Sequence, residues 1–487
     1  MKKGATAMSA SHSASKGRLN LETRSIDYVP LAERHGKAWH LWPIWFCGEA
    51  HLTTLAVGII GVGMGANLFW SAVAIFLGCA FGTLFMAGHS TQGPQMGLPQ
   101  LIQSRPQFGY LGALLVYVVA IATYVGYNAF NQLLVGQTLH ELFDVPENGS
   151  AIAFSLLAIV MAIAGYNTFH KVQRLLAFVL IAVMLVFTVG LFFFVKLPAD
   201  QLSVSDFKAT PFLAQFFVAA AYQLSWAIYV SDYSRYLPAN VSVRSSFWWT
   251  YMGAMIGGVW MMLIGALAAA LSPGQNLAKG LVMLGNTLFG GFGECLLILA
   301  VLSLVTSAAQ NFYGASITLL SIADTVKTQT STLFKRIVSM LLVGGTAIAI
   351  AMTASDNFVK DFGDFLAILL YLFTPWTAIN LVDFYKVRHG KFSITEIFKP
   401  NGIYGRWNWR GIGAYVAGFV AMLPFSSTGL YTGYVTTLLD GADISMLVGL
   451  VVSALVYGWL CRTQDIAAEL SRIDELDKDL ERGLSAN

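Results

Sequence analysis

From residue 41 onward, apolar residues gather in long runs and most charged residues fall in the breaks between them. About 20 apolar residues in a helix cross the hydrocarbon core of a bilayer. Twelve runs meet or approach that length: Leu41–Met64, Ala66–His89, Tyr110–Leu142, Ala151–Tyr166, Leu175–Val195, Phe212–Tyr236, Phe247–Leu271, Phe292–Ala323, Ile337–Thr353, Phe358–Tyr385, Gly411–Pro424 and Ile444–Cys461. The pattern predicts an all-α membrane protein with twelve transmembrane helices. Gly93–Gly109, rich in Gly, Pro and Gln, predicts a connection containing a short helix. Gly274–Asn286 and Ser426–Asp443 predict loops with short interfacial helices. Beyond the last run, Ile466, Leu470, Ile473, Leu476 and Leu480 recur at helical spacing, so Gln464–Leu484 predicts one amphipathic helix.

The cations orient this arrangement. With the N-terminal tail in the cytoplasm, twelve spans place 25 of the 29 Lys and Arg residues on the cytoplasmic side. Only Lys196, Lys208, Lys279 and Lys360 remain outside, as the positive-inside rule requires. An eleven- or thirteen-span count scrambles that bias. The expected division is a cytoplasmic tail over 1–40 and a ten-helix transport core over 41–385. A cytoplasmic loop over 386–410, helices 11 and 12 over 411–461 and a cytoplasmic tail over 462–487 follow. The tail before residue 41 is polar and basic without an apolar run, which sets it apart from a cleaved signal peptide.

Composition narrows the class. The chain is 56% hydrophobic and 11% charged, with mean hydropathy +0.63, against about 25% charged residues in soluble proteins. Cys47, Cys79, Cys295 and Cys461 are scattered without metal-ligand spacing. No phosphate-cradling loop and no nucleophile motif occurs, so no enzyme activity, no cofactor and no nucleic-acid partner is expected. Transport without an ATP site is driven by an ion gradient.

Polar residues inside the runs carry the candidate chemistry. Glu49 lies within the first run, beside Gly48 and two residues before His51. A charge at mid-bilayer costs about 2.5–3.5 kcal/mol on insertion scales, and such residues usually line pathways. The stretch predicts a helix broken around a binding site. If spans one to five and six to ten form an inverted pair, span six is its counterpart, with Tyr222, Gln223, Ser225 and Trp226 at mid-depth. In span three, Tyr124, Tyr127, Asn128 and Asn131 fall on one helix face. Aromatic rings can stack on a flat ligand and amides can read its edge. In span eight, Ser303, Thr306, Ser307 and Gln310 share a face, followed by Asn311. Uncharged oxygens of this kind suit Na+, with carbonyls of a broken first helix completing the shell. Alone, such hydroxyls more often bond back to their own helix.

Taken in order, several motifs resemble the nucleobase–cation symporter family, the purine–cytosine permeases. They are Ser25-Ile26-Asp27-Tyr28-Val29-Pro30, Glu33-Arg34-His35-Gly36, Gly61-Val62-Gly63-Met64-Gly65, Asp232-Tyr233-Ser234-Arg235-Tyr236, Thr306-Ser307, Pro375-Trp376 and Asp383-Phe384-Tyr385. The resemblance implies twelve helices, a five-plus-five inverted repeat with broken helices 1 and 6, two further C-terminal helices and alternating access. It implies cation ligands at Ser303, Thr306 and Ser307, with carbonyls near Phe46 and Glu49. It implies substrate contacts at Tyr124, Tyr127, Tyr222, Gln223, Gln310 and Asn311. The chain departs from cytosine-permease-like members, which carry Gln and Trp where it has Tyr124 and Tyr127.

The expected function is a secondary active symporter in the cytoplasmic membrane, both termini inside. It would import a nucleobase or related nitrogen heterocycle with Na+ or H+. Tyr127 with Tyr222 or Trp226 would stack on the ring, and Gln223, Asn128, Gln310 and Asn311 would read its edge. The alternatives are a carrier of a cationic amine or vitamin precursor neutralised by Glu49, and a non-transporting membrane sensor. The expected partners are a small molecule and lipid, with the protein a monomer.

Overall fold

The computed structural model describes residues 27–163, 166–327, 332–354, 357–478 and 480. The first apolar run is two helices, α1 (Leu41–Glu49) and α2 (Leu52–Gly63), whose axes differ by 64°. The cause is local. Ala50 (φ −80°, ψ 71°) makes an inverse γ-turn in which the His51 N–H donates to Glu49 O at 2.9 Å. His51 is then extended (φ −155°, ψ 168°) before α2 begins.

The chain continues through α3 (Leu68–Ser90), short α4 (Gln92–Met96) and α5 (Arg105–Phe108), α6 (Leu114–Phe143), α7 (Glu147–Ile163) and α8 (Tyr166–Phe194). Next come α9 (Ala209–Ser225), a 3-10 turn over Trp226–Tyr229, and α10 (Val230–Ser234). The sixth run is thus interrupted, without the sharp bend of the first. Then follow α11 (Val243–Leu271), α12 (Leu277–Gly285), α13 (Phe292–Val326), α14 (Leu333–Thr353), α15 (Phe358–Val382), α16 (Ile394–Ile397), α17 (Trp409–Met422), α18 (Tyr434–Leu438), α19 (Ser445–Cys461), α20 (Ile466–Ser471) and α21 (Ile473–Leu476). Among the described residues, eight helices are long and apolar enough to cross a membrane, or nine with the bent pair. α7 and α19 are apolar but have 17 residues each, and α17 has 14.

Small residues set the packing. A Cβ at Gly78 or Gly82 of α3 would lie 2.2 Å from Phe216 O or 2.3 Å from Ala220 O of α9. α11 approaches the bent pair equally closely: a Cβ at Gly265 would lie 1.9 Å from Leu55 O. Glycine at such contacts lets helix backbones meet. α1, α2, α3, α9 and α11 therefore form one tight group, while α6, α7, α8, α13 and α14 form a second. α15 touches α2, α6 and α9 on one side and α17 and α19 on the other.

The end of the molecule carrying the 386–410 loop is closed by polar side chains. The Trp376 ring stacks on His89 at 4.5 Å, and its Nε1 donates to Ser104 Oγ at 3.0 Å. Gln92 Nε2 donates to Asn380 Oδ1, and Gln107 Nε2 to Asp383 Oδ2, both at 2.6 Å. Buried Arg388 bonds to Asp383 and, at 2.7 Å, to Glu469 of the tail. The tail is not the single helix expected over Gln464–Leu484. It breaks between α20 and α21 and turns again at Asp477. There the Asp477 carboxylate accepts from Ser393 Oγ, Ile394 N and Thr395 N, and Leu480 packs on the same cluster. Holding the loop at both Glu469 and Asp477 is incompatible with one straight rod. Residues 479 and 481–484 lie outside the described residues.

At the opposite end, the loop expected to hold only a short helix also contains a small hairpin, Ser427–Thr428 against Tyr431–Thr432. Gly429 N donates to Asp364 Oδ1 of α15 at 2.9 Å. Asp443 accepts from Ser427 N at 2.9 Å and from the Tyr371 hydroxyl of α15. A cavity of about 600 Å³ opens between α2, α9, α15 and this hairpin, lined by Ile60, Phe217, Lys360, Asp364, Ser427 and Asp443 among others.

Candidate functional site

Between the two helix groups, aromatic side chains converge. Tyr222, Trp226 and Tyr229 recur at i, i+4 and i+7 along α9 and its 3-10 extension. Tyr124 and Tyr127 face them from α6. The Tyr127 ring meets Tyr222 edge-on at 6.1 Å, Tyr222 meets Trp226 at 6.1 Å, and Trp226 meets Tyr229 at 5.6 Å. Tyr124 stacks on Tyr229 at 6.1 Å and 14°. His51, at the helix break, lies 6.2 Å from Trp226.

Part of the polar rim of this box is bonded and part is not. The Tyr127 hydroxyl pairs with Ser225 Oγ at 2.8 Å. The Tyr222 hydroxyl pairs with Thr54 Oγ1 at 2.7 Å and lies 3.4 Å from His51 Nε2. Both amide atoms of fully buried Asn128, with Trp226 Nε1 and His51 Nδ1, have no hydrogen-bond partner among the described residues. Each orphaned polar group costs about 1–3 kcal/mol. A ligand with complementary edges would satisfy them.

Glu49 adjoins this rim through Thr54, which bonds the Tyr222 hydroxyl. It is 1% exposed, with Gln223 and Thr54 as the polar side chains beside it. A Cβ on Gly257 of α11 would lie 2.9 Å from Glu49 Cβ and 3.0 Å from Phe46 O. A Cβ on Gly258 would lie 3.6 Å from Glu49 Cδ and 2.0 Å from Gln223 Nε2. Phe46 and Glu49 thus share the α1 face turned toward α11, and the Phe46 ring stacks between Trp42 and Trp260 at 5.0 and 5.7 Å. Neither Glu49 oxygen, nor Gln223 Oε1, has a hydrogen-bond partner among the described residues.

On α13, Ser303 and Thr306 are buried and Ser307 is half-buried. The Thr306 hydroxyl donates to Ser303 O at 2.7 Å. No hydrogen bond joins these three residues to α1 among the described residues. Gln310 Nε2 donates to the Tyr233 hydroxyl, and Gln310 Oε1 accepts from Gln173 at 3.1 Å. Asn311 is half-buried on the same helix. The described residues contain no group of three His, Cys, Asp or Glu side chains able to hold a metal ion.

The structure therefore brings Tyr124, Tyr127, Tyr222 and Trp226 into one box and sets Glu49 with Gln223. No hydrogen bond links the α13 hydroxyls to Phe46 among the described residues. Sequence reasoning missed Tyr229, Thr54 and the Gly257–Gly258 pair. Extending the Tyr222–Trp226 face by three residues would have found Tyr229.

A family model described as permease for cytosine/purines, uracil, thiamine, allantoin matches residues 28–449. The chain belongs to this family. It is 37% identical over 439 residues to YxlA of Bacillus subtilis (strain 168), which carries a provisional purine–cytosine permease name; the match spans 90% of this chain and 95% of that one. It is 25% identical over 460 residues to the purine–cytosine permease fcyB of Emericella nidulans, spanning 90% and 88%. Among solved structures, the chain resembles Mhp1, a nucleobase-cation-symport-1 family transporter, closed with bromovinylhydantoin bound. That match has TM-score 0.73 and 16% identity, covering 94% of this chain and 99% of Mhp1. The fold is therefore that of Mhp1, and the family is one of membrane permeases rather than enzymes.

Proposed function

We propose that the protein is a secondary active symporter importing a nucleobase or a related nitrogen heterocycle across the cytoplasmic membrane. The observation that carries this reading is the aromatic box with an unpartnered amide, Asn128, on its rim. Tyr127, Tyr222 and Trp226 offer π-faces to a flat ring. Asn128, with Gln310 and Asn311 farther along, offers donors and acceptors to its edge. The permease family and the purine–cytosine names of the relatives support the same substrate class.

Twelve spans, a five-plus-five inverted repeat and alternating access belong to this proposal. In support, the tight group joins spans one and two to spans six and seven, which are the corresponding members of two repeats. A cavity at one end and a polar seal at the other fit a carrier that opens to one side at a time. The coupling ion is Na+ or H+, with Ser303, Thr306 and Ser307 as the Na+ candidates and the carbonyls of Phe46 and Glu49 as further oxygens an inward or outward rearrangement would have to bring to them. The protein acts as a monomer surrounded by lipid, both termini cytoplasmic. A cationic amine or vitamin precursor held by Glu49 is less well supported, because that carboxyl is turned toward α11.

The test is uptake into proteoliposomes across a panel of labelled purines, pyrimidines, hydantoins and amines, with Na+ and pH gradients imposed separately. Accumulation of at least one base, abolished in Trp226→Ala, is the expected result. Transport of amines alone would overturn the reading.

A further inference from the structure

The buried carboxyl of Glu49 adjoins the aromatic box through Thr54 and Tyr222, and its surroundings point to a role of its own. It sits among α1, α3, α9 and α11. α11 presents the backbone of Gly257 and Gly258 there, with the Ala254 carbonyl 3.4 Å from Gln223 Nε2. α3 contributes Cys79, whose sulfur lies 3.9 Å from Gln223 Nε2, and α9 contributes Gln223. The other titratable groups nearby are His51 at the break, Tyr222 of α9, Tyr229 of the 3-10 turn that follows it and Tyr127 of α6. No cation faces the carboxyl from any of these elements.

A carboxylate sealed in this way without a counter-ion, with only the Gln223 amide and the Thr54 hydroxyl beside it, is costly by several kcal/mol. A carboxylic acid is not, and the Gln223 amide beside it also has an oxygen, Oε1, without a partner among the described residues.

We propose that Glu49 carries the coupling proton, in a chamber between α1, α3, α9 and α11 that adjoins the substrate box. The proposal rests on the symporter reading above and names its driving ion. In each cycle one proton from the outer solution binds the Glu49 carboxylate to give the acid. After the carrier reopens inward, the acid returns that proton to the inner solution, so one H+ crosses with each substrate. The Tyr222 hydroxyl links chamber to box, since it bonds Thr54 beside Glu49 while its ring walls the box. A ring entering the box displaces Tyr222 and Trp226, and so acts on the acid. The helix break at Ala50 lets α1 move against α2 and exposes the chamber to one side at a time.

Two measurements test this. The first needs no substrate: the infrared spectrum of the purified protein near neutral pH should contain the carbonyl-stretch band of a protonated carboxyl that Glu49→Gln removes. Absence of a band assignable to Glu49 would overturn the proposal. The second uses proteoliposomes. An inward proton gradient should drive accumulation in the wild type, and Glu49→Gln should cut it by at least about tenfold, within the range of ordinary coupling energies. Substrate exchange between equally loaded compartments should persist in that variant. Glu49→Asp, which keeps the acid, should retain gradient-driven uptake with a displaced pH profile. Gradient-driven accumulation by Glu49→Gln equal to wild type would overturn the proposal, as would wild-type uptake indifferent to pH. Failure of every base in the panel, with the infrared band present, would instead count against the nucleobase reading.

Discussion

At the scale of single residues, the Tyr222 hydroxyl is the most informative atom. It joins the helix break to α9 through Thr54, while its ring contacts both Tyr127 and Trp226. Tyr222→Phe keeps the ring and removes one buried hydrogen bond, worth about 0.5–1.5 kcal/mol net, with Thr54 left partnerless. Substrate affinity should fall by about three- to tenfold, on the order of that energy, in binding titrations, with a modest fall in the thermal midpoint from the orphaned Thr54 hydroxyl. Loss of folding in that variant would mean the hydroxyl is structural. The box residues were legible in the sequence because amides and phenols on one stripe cannot face acyl chains. The direction of Glu49 was not. Its phase depends on the γ-turn at Ala50, and a single φ/ψ pair at a break leaves no periodic trace.

Elements meet through glycine backbones. A side chain at Gly265 must displace the Leu55 carbonyl, and one at Gly58 must displace that of Met262. Gly265→Leu should therefore separate α11 from α2 and destabilise the protein by about 1–3 kcal/mol or more, as overpacking does. The check is a lower melting temperature in detergent, with Gly65→Ala as the comparison for space, since nothing lies within 4 Å of that position. Gly65 has φ +96°, so a modest cost of strain is expected there too. Helix existence was readable from the apolar runs, because lipid leaves the backbone no other partner. The hairpin at Ser427–Thr432 was not, since two-residue strands carry no alternation. The tail's interruption was also hidden. Its apolar spacing is helical throughout, and only the loop it docks on imposes the turn at Asp477.

For the whole molecule, the two ends differ in chemistry. One has a cavity, and the other is held shut by Trp376, His89, Gln92, Asn380, Gln107 and Asp383. Arg388→Met would leave Asp383 and Glu469 without their shared cation. Removing one partner of a buried ion pair costs about 3–5 kcal/mol, so the variant should melt earlier. The double variant Arg388→Met with Asp383→Asn should recover much of that loss. Sidedness gives a further expectation. Cysteines placed at Lys391 and at Leu430 should react with an impermeant thiol reagent from opposite faces of sealed vesicles. Labelling from one face would contradict a crossing by α17, which lies between the two sites.

The Ser427–Thr432 hairpin is fastened to α15 at two points, Asp364 and the Tyr371–Asp443 pair, and its tip residue Leu430 is 93% exposed. Whatever tilts the upper part of that helix must carry the loop along. A nanobody raised against the tip would grip a moving part of the carrier by an external handle. By holding that handle still it should arrest turnover noncompetitively, leaving occupancy of the ring pocket intact.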